Sequence, residues 1–454
     1  MFDKLSSISQ KLSPGTRKVV GNVGWLFAER VLTMAITFAV GVYVIRYLGS
    51  EDFGILSYSI SFVSLFGAVA SLGLKTIVVR DIVREEGATS EILGTVLCLR
   101  LIGSAIAIAM IAIAIFYGEQ QAKIRFLTIV ISLQLLFTAI DQTFEIWFES
   151  QVLAGKASIV KIAQIVINSG SRLVLIWQGL PLIAFAWVLL AGSVVRAAGM
   201  FWIYLDHGQS VTSWKINGLR GKRMLSDSWP LIFSIIAITL YMRIDQVMLG
   251  NMAGAKAVGN YAAAVKFSEV WNFIPIAICS SIFPAIIRAK QRSKAAYYQM
   301  LQQLFDFMCW IALIVAIIMS FIATPLIKAC LGAEYMEAGS ILTIHIWSGI
   351  FVFLSVARSK WLLEENMTRF SSVSTSCGAL SNILLNLALI PLYEGQGAAI
   401  ATLISYGIST YVTCIVYPPT AKRGGWMLTK ALLVPFRWRQ NLIYLRQIKK
   451  TLFN

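Results

Sequence analysis

The sequence predicts an all-α polytopic membrane protein with about twelve transmembrane helices, arranged as two six-helix lobes around a central cavity. Its 454 residues are 57% hydrophobic and 13% charged, and the mean hydropathy is +0.73. Soluble domains average about 25% charged residues, so this composition is typical of a polytopic membrane protein. The apolar residues fall in stretches of roughly 20, which is the length that crosses a bilayer as a helix.

The order of the elements follows from these stretches. Residues 1–19 are polar and lack the pattern of a cleavable signal peptide, so we expect a cytoplasmic N-terminus and a retained first span. The N-terminal lobe is predicted over 20–205, a basic cytoplasmic linker over 206–228, the C-terminal lobe over 229–417 and a basic amphipathic cytoplasmic tail over 418–454. The predicted spans lie at about 20–45, 53–75, 93–117, 123–149, 157–177, 180–205, 229–250, 260–287, 304–330, 338–362, 370–391 and 395–417.

The distribution of basic residues predicts that both ends of the chain are cytoplasmic. With the N-terminus inside, the outer loops hold only Arg46, Lys123, Arg125 and Lys256, whereas the cytoplasmic segments hold most of the 39 Lys and Arg residues. This asymmetry is what the positive-inside rule describes. The net charge of +17 is thereby explained without a nucleic-acid partner.

Two further patterns concern the lobes and the tail. The segment Leu48-Gly49 after the first span is echoed by Leu249-Gly250 after the seventh, which predicts that the lobes are parallel repeats. From Phe436 to Phe453, apolar residues share one helical face and basic residues the other. That pattern predicts a helix on the anionic inner leaflet, with docking of a partner protein as the alternative.

The sequence lacks the residue patterns of an enzyme. No GxxxxGK[ST] phosphate loop occurs, and the only histidines are His207 and His345. The six cysteines show no CxxC spacing, so neither a metal site nor a disulfide framework is predicted. The predicted outer loops are too short for a catalytic domain, and we expect no catalytic residue and no cofactor.

Charged residues nevertheless recur inside the predicted spans, at helical spacing. A charge at the centre of a membrane helix costs about 2.5–3.5 kcal/mol on insertion scales, so such residues line a polar path or pair within the bundle. This much charge in the spans predicts a transporter. The polar stripes are Asn22, Glu29, Thr33 and Thr37; Asp141, Glu145 and Glu149; Lys161, Gln164, Asn168 and Arg172; Thr239, Arg243 and Gln246; and Lys266, Glu269 and Asn272.

We expect these stripes to surround one central cavity between the lobes. Arginine forms bidentate contacts with phosphate, so the cations are predicted to bind an anionic head group. The predicted substrate-binding cations are Arg30, Arg172, Arg196, Arg243 and Lys266. The carboxylates are predicted to couple transport to an ion; the leading candidates are Asp141 and Glu145, followed by Glu29, Asp245 and Glu269.

Some of these charges have a structural alternative. Lys266 and Glu269, at i and i+3, are placed to neutralise one another. Glu29 and Arg30 are placed to hold the lobes together. Lys75, at the end of a span, is expected to extend towards the membrane surface.

Short motifs along the chain resemble those of Wzx-type oligosaccharide flippases. Each motif alone consists mainly of small residues at helix ends, whereas their ordered series from about residue 20 to 417 is specific. The motifs are Asn22-x2-Trp25, Arg46-Tyr47-Leu48-Gly49, Phe53-Gly54, SLGL over 71–74, Tyr241-x-Arg243-x-Asp245, Leu249-Gly250, Gly259-x-Tyr261, Phe283-Pro284-Ala285, Leu331-Gly332-Ala333-Glu334-Tyr335, Asn382-x3-Asn386-Leu387-x2-Ile390-Pro391 and Gly397-Ala398-Ala399-x-Ala401-Thr402.

The resemblance implies the multidrug/oligosaccharidyl-lipid/polysaccharide exporter superfamily, whose two lobes form a V-shaped cavity. It implies a flippase that carries undecaprenyl-diphosphate-linked oligosaccharide from the cytoplasmic to the outer leaflet of the bacterial inner membrane. The product would serve O-antigen, lipopolysaccharide or other surface polysaccharide synthesis. The resemblance does not specify the glycan, the coupling ion or the oligomeric state. It is compatible with a flippase that acts alone and with one that acts beside a polysaccharide polymerase and a chain-length regulator.

Three other functions compete with the flippase. A drug/cation antiporter of the same superfamily would favour a more acidic cavity than this mixed, largely basic one. A glycan polymerase, which is an enzyme, is disfavoured by the short outer loops. A scaffold for polysaccharide assembly would tolerate loss of the charges within the spans.

Overall fold

In the computed structural model, the described residues are 14–118 and 121–437, with side chains described from residue 31 onward apart from that of Glu86. This part of the chain is helical and contains no β-strand. The α-helices are α1 (Pro14–Leu65), α2 (Gly67–Ser71), α3 (Lys75–Arg84), α4 (Thr89–Tyr117), α5 (Ala122–Ser132), α6 (Gln134–Ser150), α7 (Ala154–Trp177), α8 (Leu182–Asp206), α9 (Gly218–Ala253), α10 (Ala255–Glu269), α11 (Phe273–Arg292), α12 (Lys294–Leu331), α13 (Met336–His345), α14 (Ser348–Glu364), α15 (Thr368–Gly407), α16 (Thr413–Val416), α17 (Pro418–Thr420) and α18 (Trp426–Leu432). Single turns of 3-10 helix occur at Glu86–Ala88, Val270–Asn272, Ala333–Tyr335 and Val434–Phe436, and of π-helix at Ile408–Val412 and Ala421–Gly425.

Many stretches of these helices are long and apolar enough to cross a membrane. Within the described ranges there are 9 such stretches, or 10 when a helix pair bent by 47° over residues 333–364 is included. Two of the stretches contain one residue with non-helical dihedral angles, Gly49 in α1 (φ 72, ψ 173) and Glu394 in α15 (φ 47, ψ −124). The prediction of an all-α polytopic membrane protein is confirmed, and the number of twelve spans stays a prediction.

The chain divides into two compact units. The first contains Met1–Leu48 and Ile55–Thr239, and the second contains Gly49–Gly54 and Leu240–Asn454. The predicted lobe limits and the linker over 206–228 stay a prediction. Helix α9 begins inside that linker segment, at Gly218.

The core of the first unit packs α3, α4, α6, α7 and α8 together. Ile92, Phe148 and Met200 are fully buried in it. The segment that leads into α9 is docked on this core by Trp214, whose Nε1 donates to the hydroxyl of Tyr204 at 3.0 Å. The segment ahead of α9 is therefore packed on the core of the first unit.

Asn217 explains why α9 begins where it does. Its side-chain Oδ1 accepts hydrogen bonds from the backbone nitrogens of Leu219 (3.0 Å) and Arg220 (3.2 Å). An asparagine in this position satisfies amide donors that the first helical turn leaves free. The guanidinium of Arg220 binds Glu91 on α4 at 2.7 Å, so the start of α9 is also held by an ion pair.

The core of the second unit extends beyond the last predicted span. Its centre is formed by aromatic side chains such as Phe353 and Trp361. Met427, Leu428 and Val434, from the region predicted as the start of the tail, are buried against it. The predicted amphipathic helix lies almost wholly in residues 438–454, outside the described residues.

Two glycines allow α10 to approach the segment Gly49–Gly54 within the second unit. A Cβ atom on Gly259 would overlap the carbonyl oxygen of Ser50, and one on Gly54 would overlap that of Ala255. Ser50 is also held by Glu334, whose Oε1 accepts hydrogen bonds from the Ser50 backbone nitrogen (2.6 Å) and hydroxyl (2.7 Å). The two backbones are in direct contact here, and a methyl group has no space between them.

The end of the described chain is fixed by an ion pair, and its loss should destabilise the second unit. Arg437 Nη1 lies 3.1 and 3.2 Å from the carboxylate oxygens of Asp306, which is 1% exposed. Removing one partner of a buried pair costs about 3–5 kcal/mol because the other charge stays buried. We therefore expect Arg437→Gln to lower the thermal midpoint of the purified protein by several degrees.

The matched control is Arg423→Gln. The Arg423 guanidinium lies over the ring of Tyr298 at 4.7 Å from its centroid. Such a contact at an exposed site is worth only about 0.5–1 kcal/mol. Equal midpoints for the two variants would contradict the role given to Arg437.

Candidate functional site

A polar cavity of about 660 Å³ lies within the first unit. Its charged lining residues come from five helices: Lys75 begins α3, Arg100 lies on α4, Glu145 on α6, Lys161 on α7 and Arg196 on α8. Four cations thus share the wall with one carboxylate, which makes the lining net positive. The polar uncharged lining residues are Thr33, Ser71, Thr76, Gln142, Gln164 and Ser234.

Arg196 joins the two leading carboxylate candidates. Its Nε lies 2.7 Å from Asp141 Oδ2, and its Nη2 lies 2.8 Å from Glu145 Oε2. Asp141 and Glu145 are one helical turn apart on α6 and face the same side, so a single guanidinium spans both. Lys161 adds a 2.9 Å contact to Glu145 Oε1. The structure thus brings together residues that were predicted from three separate spans.

A second, smaller cavity of about 280 Å³ continues this polar region within the first unit. Asp141, Arg172 and Arg196 supply its charged lining. Arg172 is half-buried and forms no ion pair with any described carboxylate. The polar lining residues are Thr37, Gln134, Thr138, Gln164, Asn168, Ser169 and Ser193. The stripe predicted on the fifth span therefore runs along both cavities.

Two cations that line the larger cavity, Arg100 and Lys75, were not predicted as site residues. Arg100 was not predicted as a site residue, because it stands alone in an apolar stretch and forms no stripe. The signal available was the charge itself, since an arginine within a span is a functional candidate without any partner in sequence. Lys75 binds Glu149 on α6 at 2.6 Å and keeps a half-exposed side chain, so its expected extension towards the membrane surface stays a prediction.

In the second unit, Asp245 is the centre of a buried polar cluster. It is 4% exposed, and its Oδ2 accepts hydrogen bonds from the hydroxyls of Tyr261 (2.6 Å) and Thr402 (2.8 Å). Its Oδ1 lies 3.4 Å from Asn386 Nδ2, which also donates to Asn382. Among the described residues, Asp245 forms no salt bridge. Asp245 does not belong to the predicted stripe of Thr239, Arg243 and Gln246, and its partners come from α10 and α15.

The remaining predicted residues of the second unit lie close to this cluster. Glu269 interacts electrostatically with Arg243, Asp245 and Lys266. The side chains of Glu29 and Arg30 lie outside the described residues, so their predicted roles stay predictions.

Comparison with known proteins places this geometry in context. A family model described as "Polysaccharide biosynthesis protein" matches residues 19–290, which is more than half of the chain. A second model, described as MatE, matches residues 230–388.

Two curated relatives are similar over most of their length. A Haloferax volcanii protein named as a low-salt glycan biosynthesis flippase, Agl15, is 22% identical over 85% of this chain and 80% of the relative. A Shigella dysenteriae protein named as an O-antigen transporter is 22% identical over 85% of this chain and 96% of the relative.

Solved structures share the fold. The lipid II flippase MurJ in an inward closed conformation matches with a TM-score of 0.66 at 14% identity, covering 94% of this chain and 93% of that one. A multidrug resistance MATE family transporter in an inward-facing conformation matches with a TM-score of 0.65 at 15% identity, covering 89% and 95%. At these identities the likeness concerns the fold alone.

Proposed function

Because the chain belongs to the polysaccharide biosynthesis protein family, we propose that it is a flippase for undecaprenyl-diphosphate-linked oligosaccharide. The family and the named relatives are those of transporters and flippases, and the chain is a membrane transporter rather than an enzyme. It would carry the lipid-linked unit from the cytoplasmic to the outer leaflet of the bacterial inner membrane. There, a polysaccharide polymerase with a chain-length regulator would extend it into O-antigen or another surface polysaccharide.

The proposed topology has twelve spans with both termini in the cytoplasm. The bent helix pair counts as one span, and the breaks at Gly49 and Glu394 each divide a long helix where two predicted spans meet. The basic residues on the inner side support the orientation. We propose two lobes of six spans around a central cavity.

The observation that carries the proposal is the net positive lining of the larger cavity in the first unit. Its lining residues include four cations and one carboxylate. A diphosphate head group carries two or more negative charges, and arginine and lysine donate charge-assisted hydrogen bonds to phosphate oxygens. We propose that Arg196, which lines both cavities, and Arg172, which lines the smaller one, bind the diphosphate together with Arg30, Arg243 and Lys266, while the lipid tail stays in the bilayer.

An ion gradient is the proposed energy source, since no phosphate loop for ATP occurs in the sequence. Asp141, Glu145 and Asp245 are buried carboxylates. A buried carboxylate is stable in its charged form only when a cation or a hydrogen-bond donor binds beside it. Glu29 and Glu269 complete the proposed coupling set. Binding or release of a cation at these groups would bias the transporter between its inward- and outward-facing states.

A drug/cation antiporter is the second candidate function. The MatE model matches residues 230–388, most of which lie in the second unit. Asp245 in that unit is a buried carboxylate without a salt bridge among the described residues, which suits a cationic ligand. The net positive lining in the first unit favours the flippase.

The deciding experiment is flipping of a fluorescent undecaprenyl-diphosphate oligosaccharide in proteoliposomes, with and without an imposed proton or sodium gradient. Gradient-stimulated flipping would support the proposed function. Exchange of cationic drugs without flipping of any lipid-linked oligosaccharide would overturn it in favour of the antiporter.

Arg172 gives a direct test of the cation site. Arg172→Gln removes a cation that forms no ion pair with a described carboxylate, so no buried anion is left behind. A hydrogen bond to a charged group contributes about 1.5–3 kcal/mol, so flipping should slow by roughly 10- to 100-fold. Lys256→Gln, an exposed charge loss, is the control and should flip like the wild type. Equal rates for Arg172→Gln and the control would remove Arg172 from the binding site.

A further inference from the structure

The Glu145 carboxylate is surrounded by cations from three other helices. Its Oε1 lies 2.9 Å from Lys161 Nζ and 3.5 Å from Lys75 Nζ, and its Oε2 lies 2.8 Å from Arg196 Nη2. Glu145 itself is only 8% exposed. Cations that converge in this way on one carboxylate form the kind of site that binds a phosphate group.

A fourth cation of the same cavity has open donors. Arg100 is 1% exposed, and its Nε and Nη1 have no hydrogen-bond partner among the described residues. A buried guanidinium without a partner is unfavourable, because its desolvation is not compensated. Since Arg100 lines the cavity, an anion that enters the cavity would supply the missing acceptors.

The other charged groups near Glu145 already have partners. On α6, Asp141 lies 2.7 Å from Arg196 Nε, and Glu149 lies 2.6 Å from Lys75 Nζ. Arg100 on α4 interacts electrostatically with both Asp141 and Glu145. Glu145 is therefore the carboxylate that the cavity cations share and that an incoming anion would have to replace.

We propose that Glu145 is an internal anion that competes with the substrate diphosphate for Lys161, Arg196 and Lys75. This inference rests on the proposed function, which supplies the diphosphate. When the substrate binds, these cations turn to phosphate oxygens, and Arg100 gains acceptors for its free donors. The Glu145 carboxylate loses its partners and takes up a proton from water, because an unpaired charge at this depth is unfavourable.

Substrate binding and proton binding are linked by this exchange. If a bound diphosphate favours protonation of Glu145, then protonation of Glu145 favours diphosphate binding by the same factor. Lower pH should therefore raise the affinity. A flippase built in this way would bind a proton together with its substrate.

The test measures binding of a short-chain prenyl-diphosphate sugar to the full-length protein in detergent. The two phosphates of this probe are fully ionised near neutral pH, so a pH dependence comes from the protein. Because close charge pairs couple by about 1.5 kcal/mol or more, Glu145→Gln should bind the probe at least about tenfold more tightly than the wild type at pH 8. Its affinity should also lose the dependence on pH. Asp227→Asn is the control and should resemble the wild type, because Asp227 pairs with Arg80 at 3.1 Å and neither residue lines the cavity.

A second measurement needs no variant. Calorimetry of the wild type in buffers of different ionisation enthalpy should show uptake of about one proton per bound probe. Unchanged or weaker binding by Glu145→Gln, or binding without proton uptake, would overturn the inference while gradient-driven flipping by the wild type left the proposed function intact. If the wild type neither binds the probe nor flips the lipid-linked oligosaccharide, the proposed function itself fails.

Discussion

Alanine in place of Gly259 is expected to abolish accumulation of folded protein. A Cβ at this position would overlap the backbone carbonyl oxygen of Ser50, and no flexible side chain can move aside to make room. Overpacking of side chains typically costs about 1–3 kcal/mol, and a clash between two backbones should exceed this range. Gel filtration and the thermal midpoint of the solubilised protein measure the effect.

The same contact supplies a reciprocal variant and a control. Gly54→Ala should be as damaging as Gly259→Ala, because its Cβ would overlap the carbonyl oxygen of Ala255. Gly349→Ala adds the same methyl group on α14 of the second unit, where no other heavy atom lies within 4 Å, and should be neutral or stabilising. A normal midpoint for Gly259→Ala would mean that the helices do not touch here.

Replacement of Asp245 by asparagine is expected to abolish the effect of the ion gradient on flipping. The substitution keeps the shape of the side chain but removes the one charge in a cluster of hydroxyl and amide groups. One charge moved through 100 mV is worth about 2.3 kcal/mol, or roughly 50-fold in an equilibrium constant. The variant should therefore flip substrate down its own concentration gradient at a similar rate with and without the ion gradient.

The control for Asp245→Asn is another buried carboxylate of the same unit. Asp306 is as buried as Asp245 but binds Arg437, so its charge is already neutralised within the protein. Asp306→Asn should lower stability and keep the gradient dependence. If Asp245→Asn retained full stimulation by both proton and sodium gradients, Asp245 would not be a coupling residue.

Helical periodicity was the most informative property of the sequence. Residues three or four apart share a helix face, so the stripe of Asp141 and Glu145 and the stripe of Lys161 and Arg172 could be predicted without coordinates. The structure lays both stripes along the two cavities of the first unit. Their partner Arg196 was predicted from its charge alone.

Contacts that join distant parts of the chain could not be predicted from periodicity. Thr402 binds Asp245 across 157 residues of sequence, and nothing in either span specifies the other. Arg100 stands alone, so no pattern marks its helix face. The breaks at Gly49 and Glu394 fall between predicted spans, but their dihedral angles depend on packing that a single sequence does not contain.

The contact between Ser50 and Glu334 also bears on how the protein is made. These residues are 284 positions apart, yet Gly49–Gly54 belongs to the second unit. At about 5–20 residues per second, a ribosome needs roughly 15–60 s to add the missing partner. During that time the bend between the first two predicted spans lacks the Glu334 carboxylate, which accepts hydrogen bonds from the Ser50 amide and hydroxyl. A nascent chain that has not yet reached Glu334 should therefore be the form most susceptible to membrane proteases, and its lifetime depends on how soon Glu334 is synthesised.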